Sequence, residues 1–200
     1  VPGFSYVPFG DPEALRQAIT PNVCAVMLEP VQGEGGVNVP PPGYLKAVRE
    51  ICDEFDLLLI YDEVQVGCGR TGTLWAYEQE GVTPDILTLA KALAGGPPIG
   101  AMLTTDVLAN GLGPGSHGST FGGNPLIGAA ALAAMQTMVG DGVLDNCQAM
   151  GIYLTEHLEK LKHKYAFIKE VRGRGLIIGM ELTIEGGGLV NAAMERGLLI

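Results

Sequence analysis

The sequence predicts an α/β fold built on a mainly parallel sheet flanked by helices. Three observations lead there. Short, continuously apolar runs alternate with segments whose apolar residues recur at helical spacing. The runs do not alternate apolar with polar, which is the pattern of parallel strands covered on both faces. Three of them end on Glu29, Asp62 and Lys91, and ligands of such sheets collect at the carboxyl ends of strands.

The elements follow in order. Residues 23–28 form the first strand, and a Gly-rich loop, Gln32-Gly-Glu-Gly-Gly36, follows it. Three prolines at 40–42 lead into a helix over 43–55, with Leu45, Val48, Ile51 and Cys52 on one face. Residues 57–61 are the second strand, ending at Asp62-Glu63, and residues 74–80 a short helix. Residues 85–90 are the third strand, ending at Lys91, and 101–105 the fourth. A long Gly-rich loop covers 109–123. Asn124 suits an N-cap and Pro125 the first helical position, so an Ala-rich helix runs from there to about 139. Asp141-Gly142 breaks it. A longer amphipathic helix spans 144–165, a β segment with glycine kinks 171–182, a helix 190–196, and 197–200 reads as a strand. A domain boundary near 140 separates 1–140 from 141–200.

Composition narrows the function. Apolar residues are 47% of 200 and charged residues 17%, which excludes a disordered chain. No apolar run approaches the roughly 18 residues of a membrane span, so no membrane partner is expected. A net charge of −10 disfavours nucleic acid, which needs clustered cations. Glycine, 30 of 200, has no triplet period, so collagen is excluded. The chain has no initiator Met or signal segment and stops within an apparent strand, which suggests an internal fragment. Cys24, Cys52, Cys68 and Cys147 lack paired spacing, and His117, His157 and His163 are scattered. No metal site is expected, and a reduced, cytoplasmic compartment is.

Two chemistries compete for the strand ends. Residues 57–63 also describe the acidic strand of a nucleotide hydrolase. Its partner loop would be Gly113 to Thr120, but Ser119 stands where the phosphate-binding lysine belongs. Asp62 and Lys91, 29 residues apart, offer another chemistry. A carboxylate at a strand end can keep a pyridine nitrogen protonated, and a lysine can form an imine. Pyridoxal 5′-phosphate (PLP) needs both. The pair alone equally describes an ion pair at a sheet edge, which is commoner.

The surrounding segments add to this. Leu28-Glu-Pro-Val-Gln-Gly-Glu-Gly-Gly36, Tyr61-Asp-Glu-Val-Gln-Val-Gly-Cys-Gly-Arg-Thr-Gly72, Thr88-Leu-Ala-Lys-Ala-Leu-Ala-Gly-Gly96 and Gly118-Ser-Thr-Phe-Gly-Gly-Asn-Pro125 occur in this order. Residues 84–91 and 171–182 extend the pattern. Together they resemble the class III (ornithine-type) aminotransferases, the acetylornithine branch most of all. The resemblance covers essentially the whole chain. It implies a fold-type I PLP-transferase, with part of a smaller α+β C-terminal domain in residues 141–200. It also implies a homodimer with shared active sites that moves an amino group from N-acetylornithine, or a related ω-amino compound, to 2-oxoglutarate. Ornithine, succinylornithine and GABA aminotransferases and glutamate semialdehyde aminomutase share most of these motifs.

By the same resemblance, Lys91 would carry the imine and Asp62 would meet the pyridine nitrogen. Val64 would lie under the ring and Gln65 would reach its hydroxyl oxygen. Glu63 completes the cofactor motif, with a cap or a supporting hydrogen bond an equal alternative. Thr120 would bind the phosphate from the neighbouring subunit, with Ser119 against substrate. Glu34 would serve the substrate site, whereas Glu29 and Arg70 are read as structural. Val66 stands where the family usually has Thr, and Cys68 is expected to be an inert buried thiol. The family's upstream phosphate loop and downstream carboxylate-binding Arg are not within these residues.

Overall fold

The computed structural model describes residues 2–200. It opens with α1 (Pro12–Ala18), where the Asp11 carboxylate accepts the Ala14 N–H at 2.9 Å and Pro12 fits the first turn. Apolar periodicity does not reveal this helix, because its seven residues bury one side chain, Leu15.

β1 (Ala25–Leu28), β2 (Leu58–Asp62), β3 (Ile86–Leu89) and β4 (Ala101–Thr104) form one sheet in that order. β1, β2 and β3 pair in parallel, and β4 runs antiparallel to β3. The sheet is therefore mainly parallel with one reversed edge. The reason is length. Residues 90–100 hold only a 3₁₀ turn (Lys91–Ala94) and a Gly-Pro loop, short of the dozen or more residues a parallel crossover needs.

α2 (Tyr44–Glu54) connects β1 to β2 and lays Leu45, Val48, Ile51 and Cys52 on one face of the sheet. They pack with Leu59, Tyr61, Leu87 and Leu89, all buried. The other face carries Met27, Ile60, Asp62, Ile86, Thr88 and Met102, as the strand register requires. Met27 is 52% exposed and Met102 50%. Cover on both faces was expected; within this chain the second face lies open, and the site residues sit at its edge.

After β4 come α3 (Asp106–Ala109), an irregular loop, and α4 (Pro125–Gly140). The Asn124 side chain caps α4 as expected, accepting from the backbone N–H groups of Leu126 and Ile127. α4 is apolar on every side, and Leu126, Leu132 and Val139 are exposed. α5 (Val143–Lys164) follows. Where one kinked β segment was expected, β5 (Ile168–Arg174) and β6 (Ile177–Leu182) form an antiparallel hairpin, with Gly175 at φ +56° in its turn. α6 (Gly187–Met194) comes last. Residues 197–200, read as a strand, form none: Gly197 ends a turn and 198–200 pair with no strand among the described residues.

The hairpin does not stand apart from the first sheet. Ile177 joins Val31, Val66 and Ala76 in a small second core. The turn at 70–72 is gripped from two sides. The Leu176 N–H donates to the Arg70 carbonyl at 2.9 Å, and Gln148 Nε2 of α5 donates to the Gly72 carbonyl at 2.7 Å. That supports the structural reading of Arg70 through its backbone. All four cysteines are free. Among the described residues, no single helix is long and apolar enough to cross a membrane.

Candidate active site

The site begins where β2 ends. Asp62 and Glu63 are consecutive, so their side chains leave the strand on opposite sides. Asp62 takes the open face. Its Oδ1 accepts the Val64 N–H at 3.0 Å and the Thr88 hydroxyl at 3.2 Å. Thr88 is its ladder neighbour on β3. The Val64 bond is an Asx turn that bends the chain at the strand end, and the Thr88 bond holds the carboxylate from the side. Oδ2 has no hydrogen-bond partner among the described residues. Thr88 was not singled out from the sequence, although a hydroxyl three residues before the strand-end lysine was a readable signal.

Glu63 goes the other way, into the protein. It is 1% exposed, and both its oxygens are committed to backbone: Oε2 accepts the Ala76 N–H at 2.7 Å and Oε1 the Tyr77 N–H at 2.9 Å. It ties the strand end to the 3₁₀ turn Ala76–Gln79. Burial pushes its carboxyl up to about 7, against the opposing pull of the two N–H groups. Of the two sequence readings, the supporting hydrogen bond is the one present.

Gln65, in the turn after Asp62, reaches the Gly-rich loop. Its Nε2 donates to Glu34 Oε1 at 3.2 Å. Its amide also packs against Gly33, in the space a Cβ would take, so a larger residue there would push the Gln65 side chain aside. The loop is tight: Gly36 and Val37 both donate to the Gly33 carbonyl, and Gln32 and Asn38 bridge its base. Glu34 is exposed at its tip. Glu29 holds its root, with Oε2 accepting the Gly33 N–H at 3.0 Å, which is the structural role expected.

Lys91 follows β3 and opens the 3₁₀ turn. It is exposed and makes no ion pair or hydrogen bond among the described residues, so the ion-pair alternative for Asp62 and Lys91 is not what forms. Its φ is +43°, a left-handed value that an L-residue adopts only when its surroundings impose it, and such strain concentrates at functional sites. Cys68 is buried at φ +53°, and burial raises its thiol pKa, in keeping with an inert thiol.

Ser119 and Thr120 lie elsewhere. Both are exposed in the loop before α4, and Ser119 Oγ accepts the Gly122 N–H at 3.1 Å. Ser119 lines an open groove of about 480 Å³ with His117, Phe121 and the Pro98–Gly100 segment. No hydrogen bond joins Thr120 to Asp62, Gln65 or Lys91. The loop 113–120 does not run into a helix as a nucleotide-binding loop must, since α4 starts only at Pro125. No three His, Cys, Asp or Glu among the described residues gather to hold a metal.

Comparison with known proteins places this arrangement. Residues 10–200 match the family described as aminotransferase class III. The chain is 54% identical over 199 residues to the acetylornithine aminotransferase of Methanocaldococcus jannaschii, covering 100% of this chain and 50% of that protein. It is 50% identical over 198 residues to ornithine aminotransferase 1 of Staphylococcus aureus, covering 98% and 50%. The solved ornithine aminotransferase of Toxoplasma gondii superposes with a TM-score of 0.96 at 43% identity, over 100% of this chain and 49% of that one. The acetylornithine aminotransferase of Elizabethkingia anophelis superposes at 0.93 with 40% identity, over 99% and 52%. The chain thus spans about half the length of the curated relatives it matches. Sequence match and superposition extend over nearly all of it, and the chain belongs to the class III aminotransferase family.

Proposed function

We propose that the protein containing this chain is a PLP-dependent aminotransferase. It takes the amino group from the terminal amine of N-acetylornithine, or a related ω-amino compound, and passes it to 2-oxoglutarate. The observation that carries this reading is the Asp62–Thr88 pair with Lys91 three residues beyond Thr88. The donor set fits the cofactor. Asp62 has one oxygen held by two donors and the other without a protein partner, and Lys91 has no competing carboxylate.

When bound, PLP supplies an electron sink for the carbanion left by loss of a substrate proton. The chain's own residues do the rest. Asp62, oriented by Val64 N–H and Thr88, offers Oδ2 to a protonated ring nitrogen. Lys91 Nζ would hold the cofactor, and the same amine would move the substrate proton. Gln65 and Val64 would border the ring, and Glu34 would border the substrate. Thr120 would serve the phosphate of a second copy, in keeping with its having no hydrogen bond to Asp62, Gln65 or Lys91, and Ser119 would lie against the substrate. In this reading residues 1–140 belong to a large cofactor domain and residues 141–200 enter a smaller one, and the enzyme is a cytoplasmic homodimer.

A second donor, ornithine, is favoured by the ornithine aminotransferases among the relatives. The test is steady-state kinetics of the full-length, PLP-loaded protein with 2-oxoglutarate and either donor. Glutamate formation with kcat/KM about tenfold or more in favour of N-acetylornithine is expected, worth ~1.4 kcal/mol of discrimination. The opposite preference selects the second reading. No glutamate from any ω-amine overturns both.

A further inference from the structure

Loop 33–37 is held from its far side by a single arginine. Arg172 lies on β5 opposite Gly179 of β6. A Cβ on Gly179 would come within 3.0 Å of Val37 Cβ and 3.4 Å of the Gly36 carbonyl, so the bare hairpin backbone rests on the loop. Arg172 then reaches round it. Nη2 donates to the Gly36 carbonyl at 2.8 Å, and Nε to the same oxygen at 3.0 Å and to the Val37 carbonyl at 3.2 Å. Nη1 is fixed by Glu170 at 2.7 Å and by Glu181. A planar guanidinium can hold carboxylates at one edge and carbonyls at the other, which an ammonium cannot do.

The loop needs such a hold. Val37 is β-branched yet sits at φ +53°, and Gly36 at φ +114°. A β-branched residue keeps a left-handed backbone only where its neighbours over-determine it. The loop's near side meets Gln65 and carries Glu34 at its tip. The hairpin, the loop and the turn after Asp62 therefore form one continuous chain of contacts.

We infer that Arg172 is a positioning residue: it latches loop 33–37 in the conformation that presents Glu34 and Gln65 beside Asp62, and so sets how the site discriminates between its substrates. This rests on the proposed aminotransferase reading. In that reading Glu34 and Gln65 lie on the substrate side of the site, so releasing the loop changes the two half-reactions unequally.

The test uses the full-length, PLP-loaded protein with Arg172→Lys and Arg172→Gln. The control is Arg174→Lys, at the end of the same strand. Arg174 is buried to a similar degree, 18% exposed against 21%, and pairs with Glu80 rather than with the loop. Amide hydrogen exchange over residues 32–38 should quicken about tenfold in both Arg172 variants, the size expected for losing a charge-assisted hydrogen bond, and stay unchanged in the control. The ratio of kcat/KM for the amino donor to kcat/KM for the oxo acid should change about threefold or more. Unchanged exchange in this loop overturns the latch. Faster exchange with both kcat/KM values falling by one factor overturns the role in discrimination. A wild-type protein without transaminase activity would sink the functional reading instead, and the exchange measurement would still decide whether Arg172 latches the loop.

Discussion

Thr88 stands directly across the ladder from Asp62 and donates its hydroxyl to Asp62 Oδ1 at 3.2 Å. Two parallel strands thereby fix one carboxylate, and β3 delivers Lys91 three residues later. Thr88→Val keeps the shape and removes the donor. A hydrogen bond to a charged group contributes about 1.5–3 kcal/mol, and the lower end applies at this half-buried site. PLP affinity should fall about tenfold, with the melting temperature of the cofactor-free protein little changed. Unaltered affinity in an absorbance titration would remove the positioning role.

Lys91 makes two separable predictions. Lys91→Ala and Lys91→Gly should both abolish borohydride-stable attachment of PLP in the full-length protein. A reducible adduct at another lysine would show the assignment to be wrong. The two variants should differ in stability. At φ +43° an L-residue carries a left-handed penalty of about 1 kcal/mol that glycine escapes. Chemical denaturation of the cofactor-free forms should therefore rank glycine above alanine; the reverse order would mean that the turn stores no strain.

Glu63 links stability to pH. Burial pushes its carboxyl up to about 7 in the folded protein, from an ordinary value of 4.5. Below 4.5 both states hold the proton and the full stability is present. Between 4.5 and about 7 the unfolded state releases its proton first, so stability falls as pH rises; above 7 the loss is complete. The loss is of the order of 3 kcal/mol. Glu63→Gln should erase this slope and leave the two proteins with different denaturation midpoints across the window. Parallel pH profiles for wild type and variant would contradict the linkage.

Gly151 reverses a helix rule. In mid-helix, Gly→Ala usually stabilises by about 1 kcal/mol. Here a Cβ would lie 2.4 Å from the Gly175 carbonyl oxygen, and Gly175 itself presses on the Thr71 backbone. Backbone cannot swing aside as a side-chain tip can. Gly151→Ala should destabilise by about 2 kcal/mol or more, in the range for overpacking, and loosen the hairpin from α5. A stabilised variant in urea denaturation would refute the close approach.

Much of the four-stranded sheet was legible in the sequence. Buried parallel strands must be continuously apolar, so β1, β2 and β3 announce themselves, and the first polar residue after each marks its carboxyl end. Asp62 and Lys91 are found that way, and the Asn124–Pro125 helix start by its cap. What stayed hidden is non-local. The antiparallel return of β4, the β5–β6 hairpin and the short helix α1 depend on connection length and on packing partners far along the chain.

The neighbours Asp62 and Glu63 show where the division falls. The sequence by itself determined that two carboxylates close β2 and that pleating must send them to opposite sides. Only the tertiary structure decided which one is free for chemistry. α2 and the turn at Ala76 cover one face and bury Glu63 on two backbone N–H groups, while the face left open keeps Asp62, with Thr88 beside it. The physical reason is that a carboxylate's role depends on its donors and on what covers it, and both come from residues brought near by folding rather than by position in the chain.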